Sequence, residues 1–215
     1  MFNKIFPKIH AEGYKFLVIA GIITIIFYIF NNFLALIGLL LTVWVYYFFR
    51  DPERVIINDD NYLVSPADGE VIKVEEVNGP KELGLENKNF KKISIFMNVF
   101  DCHVNRIPCS GKIEEILYKP GKFLNASFDK ASEDNERNYY KIKDQHGNDI
   151  IVVQIAGLVA RRIVCESNKD QDLKQGDRIG MIRFGSRADI YYENYEPLVK
   201  IGQTAIAGET LLAKK

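Results

Sequence analysis

The chain has 215 residues, of which 47% are hydrophobic, enough for one ordinary domain plus an appendage. Lys plus Arg and Asp plus Glu balance at 28 each, so the formal charge is zero; the basic excess of a nucleic-acid binder is missing, and no nucleic-acid partner is expected. Cys102, Cys109 and Cys165 form an odd set without a close pair, which suits reduced thiols, and Cys102, His103 and Cys109 lack paired zinc-ligand spacing, so no metal is expected.

Phe16 to Phe49 is nearly free of charge and divides at Asn31-Asn32. Both halves are apolar on every face, and each is a little short of the roughly 20 residues a full span needs. A cleaved signal peptide fits poorly, because the apolar region is too long and no small-residue cleavage site follows it. A single tilted span would carry the Asn pair inside it, and a buried hairpin in a soluble domain would need more polar character. A helical hairpin with the Asn pair at its tip, spanning or dipping into a membrane, fits best. Lys4, Lys8 and Lys15 precede it and Arg50 and Arg54 follow, so both ends are expected at the cytoplasmic face of the cell membrane; Trp44, Tyr46 and Tyr47 stand where an interfacial aromatic belt belongs.

Residues 1–50 are therefore read as a membrane-anchoring segment and 51–215 as a separate domain, with Asp51-Pro52-Glu53-Arg54 as the boundary. Ser65-Pro-Ala-Asp-Gly69 reads as a tight turn in which Pro sets φ and Asp-Gly closes the reversal, which makes Asp68 a turn residue in the first instance. Glu70–Val77 alternates as a half-buried strand does, 78–92 reads as a loop, and Lys92–Phe100 as another strand. Asp101-Cys-His-Val-Asn-Arg-Ile-Pro108 then packs several polar groups between apolar runs. Of the three histidines, His10 precedes the hydrophobic segment and His146 sits in a hairpin turn, leaving His103 as the one placed to act as acid or base, against the plainer alternative of a structural His at a strand end.

Ser110–Tyr118 is a further strand, 122–138 a polar excursion, and 138–144 with 149–156 an antiparallel pair around His146. Asn135-Glu136-Arg137 is placed to hold either a substrate or a partner strand. Arg161 and Arg162 are adjacent, so in a strand they face opposite sides. The runs from 198 to 213, broken by Gly-Gln and Gly-Glu, resemble the strand-turn-strand pattern of lipoyl and biotinyl domains. The expected fold is mainly β: a barrel-sandwich-like domain of short strands behind an N-terminal hydrophobic helical hairpin.

Gly185-Ser186 lies between two strand-like runs, and such a pair is ordinarily a turn or bulge. The sharper alternative makes the peptide bond the reactive group, with the Ser186 hydroxyl attacking the Gly185 carbonyl.

Taken in order, the hydrophobic N-terminus, Ser65-Pro-Ala-Asp-Gly69, Asp101-Cys-His-Val-Asn-Arg-Ile-Pro108, Lys130-Ala-Ser with Asn135-Glu-Arg137, Gln154-Ile-Ala-Gly-Leu-Val-Ala-Arg-Arg162 and Phe184-Gly-Ser-Arg187 closely resemble the short form of the phosphatidylserine decarboxylase proenzymes. The resemblance spans essentially the whole chain. It implies a self-processing lyase of phospholipid biosynthesis, cut between 185 and 186 into a β chain, 1–185, and an α chain, 186–215, which stay together as a heterodimer; association into a larger homo-oligomer is left open. It implies that Ser186 becomes a covalent pyruvoyl cofactor, and that phosphatidylserine forms a Schiff base with it and loses carbon dioxide to give phosphatidylethanolamine. His103 and Asp68 match the family's His motif and acidic turn, implying that His103 moves a proton near the substrate α-carbon while Asp68 orients or charges the base. The longer bacterial branch has a second His where Arg106 stands here, and Gly-Ser-Thr where this chain has Gly185-Ser186-Arg187. On charge grounds Arg187, Arg161 and Arg162 are candidates for the lipid phosphate or carboxylate. Two alternatives stay beside this one: a lipid-binding module with an intact Gly-Ser turn, and a relative acting on another serine-headed lipid.

Overall fold

The computed structural model describes residues 6–123, 134–157, 162–183 and 186–215. The chain separates into two units, Met1–Glu53 and Arg54–Lys215.

In the first unit, helices α1 (Tyr14–Phe30) and α2 (Asn32–Phe48) form the hairpin, with short strands β1 (Lys8–Ile9) and β2 (Arg50–Asp51) pairing at its base. Asn31 makes the reversal. Its extended backbone ends α1, and its Oδ1 accepts from the Phe33 amide at 2.7 Å to cap α2. Gly38 lets the helices meet, because a Cβ there would press into Thr24, and the Thr24 and Thr42 hydroxyls bond each other at 2.9 Å. The remaining surface is exposed Ile, Leu, Phe and Val. Ala11–Phe30, 20 residues counted with its leading 3-10 turn, is long and apolar enough to cross a membrane; α2 is shorter.

The second unit is mainly β. Its strands are β3 (Tyr62–Val64), β4 (Gly69–Asn78), β5 (Asn89–Met97), β6 (Val104–Arg106), β7 (Gly111–Lys119), β8 (Arg137–Asp144), β9 (Asp149–Ala156), β10 (Arg162–Cys165), β11 (Asp172–Leu173), β12 (Arg178–Arg183), β13 (Ser186–Tyr192), β14 (Glu196–Pro197), β15 (Thr204–Ala205) and β16 (Leu211–Lys214). They make a curled half-barrel sheet in the order β11-β7-β8-β9-β13-β5-β4-β15, with antiparallel neighbours, and two three-stranded sheets, β10-β12-β6 and β14-β16-β3. The inner face of the large sheet carries Ile93, Ile95, Ile142, Ile150, Val152, Ala188 and Ile190, all buried in one core with Ile179 and Ile182 of β12 and Leu212 of β16. Each of these Ile, Val and Leu side chains contributes about 1.5–3 kcal/mol by leaving water.

Strand β5 ends earlier than the alternation of 92–100 suggests. It stops at Met97, and Asn98–Asp101 reverse as a tight turn: the Asp101 carboxylate accepts from the Asn98 amide at 2.8 Å, Asn98 Oδ1 from the Phe100 amide at 2.8 Å, and the Asn98 carbonyl from the Asp101 amide at 3.1 Å. Local side-chain bonding by Asn and Asp outcompetes strand pairing here. The stretch read as a 78–92 loop is shorter too, since β4 runs through Asn78 and β5 begins at Asn89.

Gly69 sits where the Ser65–Gly69 turn enters β4. Its φ is +146°, and a Cβ there would overlap the Phe96 carbonyl oxygen on the neighbouring strand. Gly69→Ala is therefore expected to cost about 2–4 kcal/mol, read as a lowered thermal midpoint; an unchanged midpoint would show that β4 and β5 can part without loss.

Candidate active site

Strand β13 sits in the middle of the large sheet, and its seven residues pair on both sides: Ser186 with Met97 of β5 and Ala156 of β9, through to Tyr192 with Lys91 and Ile150. Strand β12 ends at Arg183 in a different sheet, so the chain passes from one sheet to the other across 184–185 and enters β13 at Ser186. Phe184 and Gly185 lie outside the described residues, as do Arg161 and the Lys130-Ala-Ser segment. Ser186 is fully buried and begins a strand instead of lying in a turn. Its hydroxyl lies 3.7 Å from the Met97 sulfur.

The inner face beside Ser186 is polar at this end. Gln154 Nε2 donates to Asn105 Oδ1 at 2.9 Å; Gln154 Oε1 accepts from the Tyr140 hydroxyl at 3.1 Å and from Asn138 at 3.3 Å. Tyr140 also reaches the Ile179 carbonyl at 2.8 Å, and Asn105 Nδ2 points at the Met97 sulfur, 3.7 Å away. Burial pushes the Tyr140 hydroxyl far above its ordinary pKa, so it stays a hydrogen-bond donor. These side chains are fully or almost fully buried, and together they connect the strands on either side of Ser186.

His103 is buried at the entry to β6. Its carbonyl accepts from the Ile182 amide at 3.2 Å, four residues before Ser186, and its Nδ1 lies 3.0 Å from the Asp101 carbonyl. The Ser65–Gly69 turn is tied to the same strand, because the Pro66 carbonyl accepts from the Arg106 amide at 2.9 Å and from Asn105 Nδ2 at 3.3 Å. Asp68 in that turn is held by Arg54, whose Nη2 reaches both carboxylate oxygens at 2.6 and 2.9 Å, and by the Ala207 amide at 2.8 Å. The turn and the His motif, 34 positions apart in the chain (69 to 103), thus adjoin at one end of the unit, together with Ser186. The Asn135 side chain holds the carbonyl of Ala156, Ser186's neighbour, at 2.7 Å, and the Glu136 carbonyl takes the Ala156 amide at 3.0 Å, so this segment braces a strand end.

The two described arginine candidates, Arg187 and Arg162, separate. Arg187 alternates to the opposite face of β13 from Ser186 and is fully buried, with Asp189 binding it at 2.6 and 2.7 Å; this takes it away from the Ser186 face. A cavity of about 320 Å³ opens on that far side, where Glu82, Arg137 and Asp189 lie. Arg162 is exposed and pairs across strands with Arg183, two like charges next to the 184–185 crossing. Burial pulls the Arg183 guanidinium below its ordinary pKa. Sequence reasoning missed Arg183, the Asn105–Gln154–Tyr140 network and the Arg54 clamp on Asp68. Arg54 read as a membrane-flanking charge, and nothing local distinguishes it from one.

A buried serine thus opens a strand paired on both sides, with a histidine segment and an acidic turn at the same end of the unit. The chain belongs to the phosphatidylserine decarboxylase family, whose sequence pattern matches residues 41–213. Three relatives are each named phosphatidylserine decarboxylase proenzyme. That of Pelagibacter ubique is 78% identical over the full length of both chains. That of Ruegeria pomeroyi is 56% identical over 95% of this chain and 94% of its own. That of Cereibacter sphaeroides is 51% identical over 99% of this chain and 92% of its own.

Gln154→Leu keeps the volume but strands the Asn105 and Tyr140 partners. It is expected to cost about 1–3 kcal/mol and to slow formation of the two shorter chains on a denaturing gel; normal chain cleavage at normal thermal stability would remove the network from the site.

Proposed function

We propose that the chain is a phosphatidylserine decarboxylase proenzyme that converts phosphatidylserine to phosphatidylethanolamine after cutting itself between Gly185 and Ser186. The observation that carries the reading is the placement of Ser186 as the first residue of a strand paired on both sides. A cut immediately before it leaves every described backbone pair of β13 intact. The 186–215 piece would also keep β15 on β4 and β16 on β3, so the two chains stay together as a heterodimer without a new interface.

In the processing step the Ser186 hydroxyl attacks the Gly185 carbonyl carbon; the C–N bond breaks and the amide becomes an ester, with the proton passing from oxygen to the freed amine. A base then takes the Ser186 α-proton, the Cβ–O bond breaks, and chain 1–185 leaves with a terminal carboxylate. Water replaces the nitrogen of the resulting dehydroalanine, releasing ammonia and leaving a ketone at residue 186. We assign the base to His103, because it is buried beside the strand leading to Ser186 and is the histidine of this region. The carboxylate of Asp68, oriented by Arg54, supplies negative charge to this end of the site.

The site fits a pyruvoyl group made from residue 186, since that residue is buried on the inner face next to small Ala156 and the amide-bearing Asn105–Gln154 pair. Such a group supplies an electrophilic carbonyl that draws electrons from the substrate α-carbon as carbon dioxide leaves. The chain's own part is to exclude water from that carbon, to hold the headgroup near Arg162 and Arg183, and to return a proton through His103. The apolar hairpin associates the enzyme with the membrane that carries its substrate, and the flanking Lys and Arg residues favour the cytoplasmic face.

Denaturing mass spectrometry of the purified protein tests the proposal: two chains, 1–185 and 186–215, the shorter reactive toward hydrazine or borohydride, are expected, and one intact chain in an active preparation refutes it. Ser186→Ala should abolish both cleavage and decarboxylation. His103→Ala should slow turnover or cleavage by about 100-fold or more; wild-type rates for both would remove His103 from the site.

A further inference from the structure

The strand registers bring one set of ends together. Ser186 opens β13 beside Met97, which closes β5, and Ala156, which closes β9; Gly69 opens β4 beside Ala205, which closes β15; Arg137 opens β8 beside Lys119, which closes β7. Among the described residues next to this edge, several exposed side chains are apolar: Phe100 is 72% exposed, Val99 36%, Tyr118 54% and Ile206 38%; they make up the described part of a rim beside Ser186.

Phe100 and Val99 stand at the tip of the Asn98–Asp101 turn, between Met97, which touches Ser186, and His103. The turn is built, not slack. The amides of Asn98, Phe100 and Asp101 are all bonded inside it. A loop that enters a layer poor in water must satisfy its own backbone first, since an unsatisfied amide there is costly. This one bonds three of its four amides internally, two of them to its own Asp101 and Asn98 side chains and one to the Asn98 carbonyl, while the two hydrophobes stay exposed. Exposed Arg162, which opens β10 and pairs across strands with Arg183, adds positive charge beside the same site.

We propose that this rim docks on the surface of an anionic phospholipid bilayer, with Val99 and Phe100 entering the upper acyl layer and Arg162 meeting headgroup phosphate. The occupant is a lipid surface because the apolar tip, the internally bonded backbone and the adjacent cation match the acyl, interfacial and anionic layers of a membrane in turn. The inference rests on the reading of Ser186 as the centre of a lipid decarboxylase. Docking lets the headgroup reach residue 186 while the acyl chains stay in the bilayer, and so removes the need for a cavity large enough to hold a whole lipid.

The test uses the full chain carrying Trp44→Phe, so that Phe100→Trp introduces the sole indole, mixed with vesicles of phosphatidylserine in phosphatidylcholine brominated on the upper acyl carbons. The new indole should be quenched; unquenched emission from vesicle-bound protein overturns the proposal, whether the indole remains in water or is shielded by another protein surface. In a second arm, Val99→Ser with Phe100→Ser should still cut itself and turn over a soluble short-chain phosphatidylserine, but lose about tenfold or more in rate on long-chain lipid in vesicles. Equal loss on both substrates, or loss on neither, sinks the docking surface and leaves the decarboxylase reading standing. If the unaltered enzyme turns over neither lipid, the decarboxylase reading fails instead, and the quenching result still judges the rim.

Discussion

The backbone pairing of β13 on both of its edges is the constraint from which the rest of the second unit follows. A strand held by β5 on one side and β9 on the other cannot shift register without breaking both ladders, and a slip of one residue would turn Ala188, Ile190 and Tyr192 out of the core. Ser186 is therefore placed on the inner face by the same hydrophobic alternation that buries Ile190. Position and stability come from one set of bonds.

The same alternation sorts the two faces of that strand. The Ser186 side meets amides and a hydroxyl, those of Asn105, Gln154 and Tyr140. The other side holds Arg187 against Asp189, a buried charge pair within the sheet. On that side Glu82 also stands in a charge group: burial pushes its carboxyl up, but Lys119, its own backbone and Arg137 outweigh that and hold it below the ordinary carboxylate range. Arg187, next to Ser186 in sequence, thus lies on the opposite face of the strand, whereas Arg183, three residues before, pairs across strands with Arg162.

Division of the chain into an apolar hairpin and a β unit separates two tasks. The hairpin has almost no polar exterior, and its one hydroxyl pair, Thr24 with Thr42, is turned inward between the helices. The β unit keeps its polar groups at one end of a sheet, where strand ends and the loops leaving them can be varied without touching the core. Motifs 34 positions or more apart, the acidic turn, the histidine segment and Ser186, meet there because antiparallel pairing returns the chain to the same edge.

Local chemistry alone determined a good deal: the helices, from unbroken apolar runs; the reversal at Asn31, from a short side chain that can cap; the turn at Ser65–Gly69; and the order of motifs that marks the family. These depend on neighbours within a few residues, so the sequence carries them. Only tertiary structure decided that Arg54 grips Asp68, that Gln154 joins Asn105 to Tyr140, and that Arg187 faces away from Ser186. It also decided that Val99 and Phe100 stand outward on a turn instead of continuing β5. Each depends on which strand lies beside which, on the face a residue takes, or on side-chain bonding that displaces strand pairing, and no local pattern of hydrophobicity specifies a partner that is tens of residues away.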